Sequence, residues 1–199
     1  MSLALIDYKA GNLTSVRKAL AASGADFFTP ATAAELSKAT AVIVPGVGHF
    51  AATRTLDREW TGTIRSLIDQ GRPLLGICLG MQWLFEASDE APDCQGLGLL
   101  AGRCYRLNGA GVKIPHVGWN SLERRHEGSV VAGVADGAQV YFTHSYVAPL
   151  TAETLTSTTH GEPFASIVQR GRVAGVQFHP EKSGDVGLRI LRNFLELAR

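Results

Sequence analysis

Two distant segments carry residue types that could act together as a nucleophile and its base. The first is Gly76-Ile77-Cys78-Leu79-Gly80, directly after the apolar Pro73-Leu74-Leu75. A cysteine between glycines, where a buried strand should turn into a helix, has the form of a nucleophile elbow. The turn holds the nucleophile in a strained backbone conformation, and glycine on either side removes Cβ atoms that would clash. The helix N-terminus adds unpaired N–H groups and a positive dipole end, which suit an anion. The same five residues would also suit a small buried side chain closing a Gly-rich turn.

The second segment is Phe178-His179-Pro180-Glu181, at the end of the apolar run Val173–Phe178. At a strand end, positions i and i+2 point the same way, and proline between them fixes the backbone. Glu181 could then hold one imidazole nitrogen of His179 while the other faces a thiol, the Cys-His-Glu form of a catalytic triad. Alone, the segment equally describes a capping histidine and a surface glutamate. A third segment, Pro45-Gly46-Val47-Gly48-His49-Phe50, ends another apolar run. Its glycines would let the Val47 N–H turn toward a developing oxyanion, with Leu79 N–H as the second donor. Gln82, four residues after Cys78, would continue the nucleophile's side of the helix.

These segments need a scaffold, and the first half of the chain predicts one. Leu3–Ile6, Asp26–Thr29, Ala41–Val44 and Leu74–Ile77 read as strands. Between them Leu13–Ser23, a short helix opened by the capping box Thr32-Ala33-Ala34-Glu35, and Trp60–Gln70 read as helices, with Leu79–Glu86 as the next. Strands alternating with helices imply an α/β, flavodoxin-like open parallel sheet with helices on both faces. Ligands bind such sheets outside the carboxyl ends of the strands, where the loops 7–12, 45–50 and 76–80 fall. The second half adds an antiparallel β portion: Arg103–Leu107, Gln139–Val147, Thr154–Thr158, Ala165–Gln169 and Val173–Phe178, closed by a helix over Val186–Leu197. With no repeat or linker, residues 1–199 read as one domain.

Composition narrows the function classes. A net charge of +1, with no basic run longer than a pair, gives no support for nucleic-acid or anionic-membrane binding. Three cysteines without CxxC spacing indicate neither a zinc site nor a disulfide framework. Asp7 comes too early for a signal peptide, and no apolar run reaches the roughly 18 residues of a membrane helix. A cytoplasmic location is therefore expected, and neither metal nor cofactor is called for. Cys94 and Cys104 read as packing residues.

Together the motifs resemble the class I, triad-type glutamine amidotransferases: G-x-C-x-G-x-Q at 76–82, PG-x-G at 45–48 and F-HPE at 178–181. More narrowly, DYKAGNLTSV (7–16), PGVGHF, GICLGMQ, KIPHVGWN (113–120), YFTHSY (141–146) and GVQFHPEKS (175–183) look like the glutaminase subunits of imidazole glycerol phosphate synthases. The resemblance implies that Cys78, His179 and Glu181 hydrolyse L-glutamine to glutamate and ammonia, with Val47 and Leu79 as oxyanion donors. It places glutamine against Gly48, Gln82, Glu90, His144, Ser145 and Tyr146. It implies a heterodimer with a (β/α)₈-barrel cyclase of histidine biosynthesis, which would receive the ammonia, and puts Asn12, Trp119, Tyr141 and Lys182 at or near that interface. Lys9 departs from the family loop, where glycine is usual and φ > 0 is tolerated. Two other readings share the elbow: the glutaminase of another synthase, such as anthranilate or pyridoxal phosphate synthase, and a flavodoxin-like cysteine protein that is no glutaminase.

Overall fold

Short apolar runs form strands here because both of their faces are covered. In the computed structural model, which describes residues 2–10, 13–109 and 111–199, the strands Leu3–Leu5, Ala41–Val44, Leu74–Ile77 and Val173–Val176 are buried at every residue. With Phe27–Phe28 they make five parallel neighbours, in the order 27–28, 3–5, 41–44, 74–77, 173–176. Glu162–Arg170, Thr154–His160 and Glu123–Arg124 extend the same sheet antiparallel. The mixed α/β architecture expected from the sequence is thus the one observed.

Alternate strand residues feed two cores. Leu3, Leu5, Ile43, Leu75 and Ile77 join the helices Leu13–Ala22 and Gly184–Leu197 on one face. Ala4, Ile6, Val42, Val44 and Leu74 meet Ile64 and Leu67 of the helix Arg58–Asp69 on the other. That helix starts two residues before the expected position because Asp57 caps it, accepting from the N–H groups of Glu59 and Trp60. Thr32 caps the short helix Ala33–Leu36, and Glu35 reaches back to the N–H of Ala31.

Two expectations are corrected. The helix after the elbow covers only Leu79–Trp83, and the chain then becomes a strand, Phe85–Ser88. Phe85, Ala87 and Ser88 are buried and Glu86 is exposed, a period closer to two than to 3.6, and the segment pairs with Leu100–Arg106. The expected strand Gln139–Val147 is broken at Ser145. Gln139–His144 pairs with His116–Ser121, whereas Tyr146–Val147 pairs with Leu100–Arg106. This break turns residues 143–146 toward the carboxyl ends of the parallel strands.

Candidate active site

Cys78 links the strand Leu74–Ile77 to the helix Leu79–Trp83 with φ 52° and ψ −107°. Such a backbone is costly for a non-glycine residue and persists only when its surroundings over-determine it. The flanking glycines are demanded by close approach. A Cβ on Gly80 would stand 1.8 Å from the Val44 carbonyl oxygen, and one on Gly76 2.5 Å from that of Gly80. The elbow is therefore pressed against the neighbouring strand with no room for a methyl group on either side.

His179 comes from the next parallel strand, since Val176 pairs with Ile77 and the Cys78 N–H donates to the Val176 carbonyl. Its Nδ1 is 2.8 Å from Glu181 Oε1, with both side chains about 95% buried. The two meet across a 3₁₀ turn, Pro180–Lys182, rather than along a strand end. Tyr141 and Ser183 pin this turn: the His179 N–H donates to the Tyr141 carbonyl, and Ser183 Oγ donates to the His179 carbonyl at 2.6 Å. The second nitrogen, Nε2, is buried and has no hydrogen-bond partner among the described residues. Burial alone would lower the His179 pKa, but the neighbouring Cys78, as the thiolate, and the Glu181 carboxylate outweigh it and push it up to about 10. At neutral pH His179 thus holds a proton.

A cavity of about 300 Å³ opens beside Cys78. Val47, Gly48, Leu79, Gln82, Glu90, Thr143, His144, Ser145 and Tyr146 are among its walls, so the sequence-derived pocket residues converge on one space. Gln82 donates to the Tyr146 carbonyl at 2.8 Å. Glu90 accepts from the Phe50 N–H at 2.7 Å and so ties the pocket to the end of the 45–50 loop.

Neither expected oxyanion donor is open. The Val47 N–H donates to the Ala10 carbonyl at 3.2 Å, and the Leu79 N–H donates to the Gly46 carbonyl at 3.3 Å. One peptide unit, Gly46–Val47, therefore turns its N–H away and covers the other donor with its C=O. Gly48 has φ +105°, whereas Gly46 is needed because the Tyr8 hydroxyl lies against it, 2.0 Å from where a Cβ would stand. Lys9 lies in the left-handed backbone region (φ 61°), with its N–H held by Asp7 Oδ1.

This is an elbow cysteine, a buried His-Glu pair and a polar pocket at the carboxyl ends of a parallel sheet. A family model described as "Glutamine amidotransferase class-I" matches residues 4–198. The chain belongs to that family. Curated relatives named "Imidazole glycerol phosphate synthase subunit HisH" are similar over almost the whole length. That of Xanthomonas euvesicatoria pv. vesicatoria is 47% identical, covering 98% of each chain. That of Moorella thermoacetica is 46% identical over 99% of this chain and 95% of its own. That of Bacillus cereus (strain B4264) is 43% identical over 96% and 93%. Among solved structures, a "glutamine amidotransferase" crystal structure superposes with TM-score 0.76 at 24% identity, covering 98% of both chains. "PurLQS from Thermotoga maritima" gives 0.77 at 16%, covering 100% of this chain and 99% of that one, a likeness of fold alone.

Around the pocket of this class-I glutamine amidotransferase lie features that motif reading did not separate. Asn120 orients two histidines. Its Oδ1 accepts from the Ser121 N–H and its Nδ2 donates to the Thr159 carbonyl, so Nδ2 also faces His116 Nε2 at 3.3 Å. His116 Nδ1 then donates to His144 Nε2 at 3.1 Å. The polarity requires both rings to be neutral. Burial, with His160 stacked on the same ring, lowers the His116 pKa to about 4 and also lowers that of His144. The signal in the sequence was their spacing: His116 and Asn120 fall on one face of a strand opposite His144.

Trp119, Tyr141 and Lys182 gather on one face of the molecule. Trp119 and Tyr141 are cross-strand partners with ring centroids 6.1 Å apart, and Lys182 Nζ sits 5.7 Å over the Tyr141 ring. Trp119 and Val117 are each 57% exposed, the most exposed large apolar side chains among the described residues. Asn12 lies outside the described residues. Cys94 and Cys104 are buried free thiols in the core that also holds Trp83 and Phe85, and Cys104 Sγ lies 3.7 Å from the Gln82 carbonyl. No helix among the described residues is long and apolar enough to cross a membrane.

Proposed function

We propose that the protein is the glutaminase subunit of an imidazole glycerol phosphate synthase. In this reading it hydrolyses L-glutamine and delivers ammonia to a (β/α)₈-barrel cyclase in a cytoplasmic heterodimer. The observation that carries the proposal is the cavity bounded by Cys78, with the 2.8 Å His179–Glu181 pair behind the thiol. The KIPHVGWN and DYKAGNL segments and the named relatives favour this synthase over the anthranilate and pyridoxal phosphate types.

Glutamine enters with its carboxamide at Cys78 and its amino-acid end toward Gly48, Gln82, Glu90 and residues 144–146. The Cys78 thiolate, paired with protonated His179, attacks the carboxamide carbon, and the carbonyl electron pair moves onto oxygen. Collapse of this intermediate breaks the C–N bond, while His179, held by Glu181, gives the departing nitrogen a proton. Water then adds to the γ-glutamyl thioester and gives a proton to the now neutral His179, the C–S bond breaks with its electron pair returning to sulfur, and glutamate leaves. Ammonia exits on the far side of the Val47 wall. There a smaller cavity of about 20 Å³ is bordered by Ala10, Leu13, Val47, His179 and Glu181. Trp119, Tyr141 and Lys182 belong to the docking face on this reading.

The covered oxyanion donors make activity conditional. Rotating the Gly46–Val47 peptide would free Leu79 N–H and bring Val47 N–H to the elbow at the same time. One oxyanion donor is worth about 10²–10³ in rate. The isolated chain is therefore expected to be a weak glutaminase, stimulated roughly 100-fold or more by the cyclase with its nucleotide ligand. A glutamate-release assay with and without the cyclase measures this. Equal turnover in both conditions would remove the conditional oxyanion site from the account.

A further inference from the structure

Gln177 is a buried polar residue in contact with the reacting sulfur, and the mechanism above gives it no task. It follows the strand Val173–Val176 directly, is 0% exposed, and its Nε2 lies 3.6 Å from Cys78 Sγ. The two ends of an amide side chain have the same shape, so the orientation has to follow from the partners. Here the partners fix it. The Tyr146 carbonyl can only accept, so the Gln82 atom 2.8 Å away is its nitrogen. That nitrogen also lies 3.2 Å from one end of Gln177, which must then be the acceptor Oε1. The opposite end, facing the sulfur, is therefore the N–H donor. Reversing either amide would set like groups face to face in a buried site, where an unmade hydrogen bond is costly.

We propose that Gln177 is a further catalytic residue whose side-chain N–H holds the Cys78 sulfur, and that Gln82 positions it from the pocket wall. The inference rests on the glutaminase reading above and adds to it a donor aimed at the nucleophile. The sulfur bears negative charge at two points: as the attacking thiolate, and when the thioester C–S bond breaks and the electron pair returns to sulfur. At both points an N–H donor makes a charge-assisted bond that the neutral thioester cannot match. The Thr143 carbonyl, 3.9 Å from Sγ, can serve only a protonated thiol. Gln82 consequently has a task besides any contact with substrate: it joins the Tyr146 backbone, in the pocket wall, to the amide that orients the sulfur.

The test uses the complex with the cyclase, comparing wild type, Gln177→Leu, Gln82→Leu and the double variant. Gln177→Leu is expected to lower glutaminase kcat about tenfold to a hundredfold, the range for a hydrogen bond to a charged group, with KM within about twofold. Iodoacetamide alkylation of Cys78 at neutral pH, followed without glutamine, is expected to slow by a similar factor. Gln82→Leu is expected to slow alkylation less, and the double variant no more than Gln177→Leu alone, because the two residues act in series. Alkylation and kcat both within about twofold of wild type in Gln177→Leu would overturn the proposal. So would a rise in KM alone, or alkylation losses that multiply in the double variant. If Gln177→Leu does not fold, Gln177→Met and Gln82→Leu carry the same comparison. A wild-type protein that alkylates in this pattern but never releases glutamate would instead refute the glutaminase reading, leaving the sulfur contact intact.

Discussion

Cys78→Ala is expected to abolish glutamine-dependent synthesis by the docked pair, a loss of about 10⁴-fold or more, while synthesis from added ammonia by the cyclase continues. The argument starts from the backbone. Cys78 adopts φ 52° between two glycines that tolerate no Cβ, and the fold positions no other cysteine at this turn. Alanine removes the sulfur and little else, so the elbow, the pocket and the docking face should persist. Two rates then separate the roles, with glutamate release reporting the thiol and ammonia-supported turnover reporting the partner. Loss of both rates would mean that the variant no longer docks. Retention of glutamate release near the wild-type rate would mean that Cys78 is not the nucleophile.

Gly80→Ala is expected to damage the fold and the site together. The added Cβ would stand 1.8 Å from a backbone oxygen and 2.8 Å from the carbon of the same carbonyl, in a strand buried on both faces. Neither side can give way as a flexible side chain could. The cost should therefore reach the upper end of the overpacking range, about 3 kcal/mol. For a chain of this size that is roughly 6–12 °C in Tm. A displaced elbow also misplaces the sulfur, and a shift of about 1 Å can cost on the order of a hundredfold in rate. Gly62→Ala supplies the contrast. Gly62 lies inside the helix Arg58–Asp69 with nothing within 4 Å of a built Cβ, so alanine there should stabilise by about 0.5–1 kcal/mol. Thermal melts of the two variants distinguish a packing requirement at position 80 from a general intolerance of glycine replacement.

The parts legible in the sequence were those in which a few residues fix local geometry. Ala41–Val44 and Leu74–Ile77 appear with the expected bounds, because a continuous apolar run between turn residues has few other places to go. The elbow was legible for the same reason, and so was the His179–Glu181 pairing, although the two meet across a 3₁₀ turn and not along a strand end. Other features depended on distant segments. Phe85–Ser88 reads as the continuation of a helix until Leu100–Arg106 pairs with it. Gln177 reads as an ordinary strand residue, and its meaning comes from Gln82 and Tyr146, which reach it only in the folded chain. The Gly46–Val47 peptide has two plausible orientations with the same residues. Its resting choice is set by the Ala10 carbonyl in a loop contributed from elsewhere in the sequence.

The pH behaviour of the fold follows from the paired histidines. His116 is neutral in the folded protein down to about pH 4, whereas in the unfolded chain it titrates near 6.5. The unfolded state therefore binds more protons between these values, and this contribution to stability is lost as the pH falls through that window. His179 runs the other way. Its folded pKa is raised to about 10, so its contribution is present below about pH 6.5 and is lost as the pH rises toward 10. Near pH 6.5, where the two windows meet, the site keeps a protonated His179 beside Cys78 and neutral histidines beneath the pocket wall.

The central claim is that glutamine is hydrolysed through a covalent intermediate on Cys78. Acid quenching of the complex during turnover with glutamine, followed by peptide mass spectrometry, tests it directly. The account predicts a γ-glutamyl adduct on the peptide containing Cys78, absent from Cys78→Ala and absent from the peptides containing Cys94 and Cys104. Steady glutamate release with Cys78 unmodified at every quench time, or an adduct on either of the other cysteines, would contradict it.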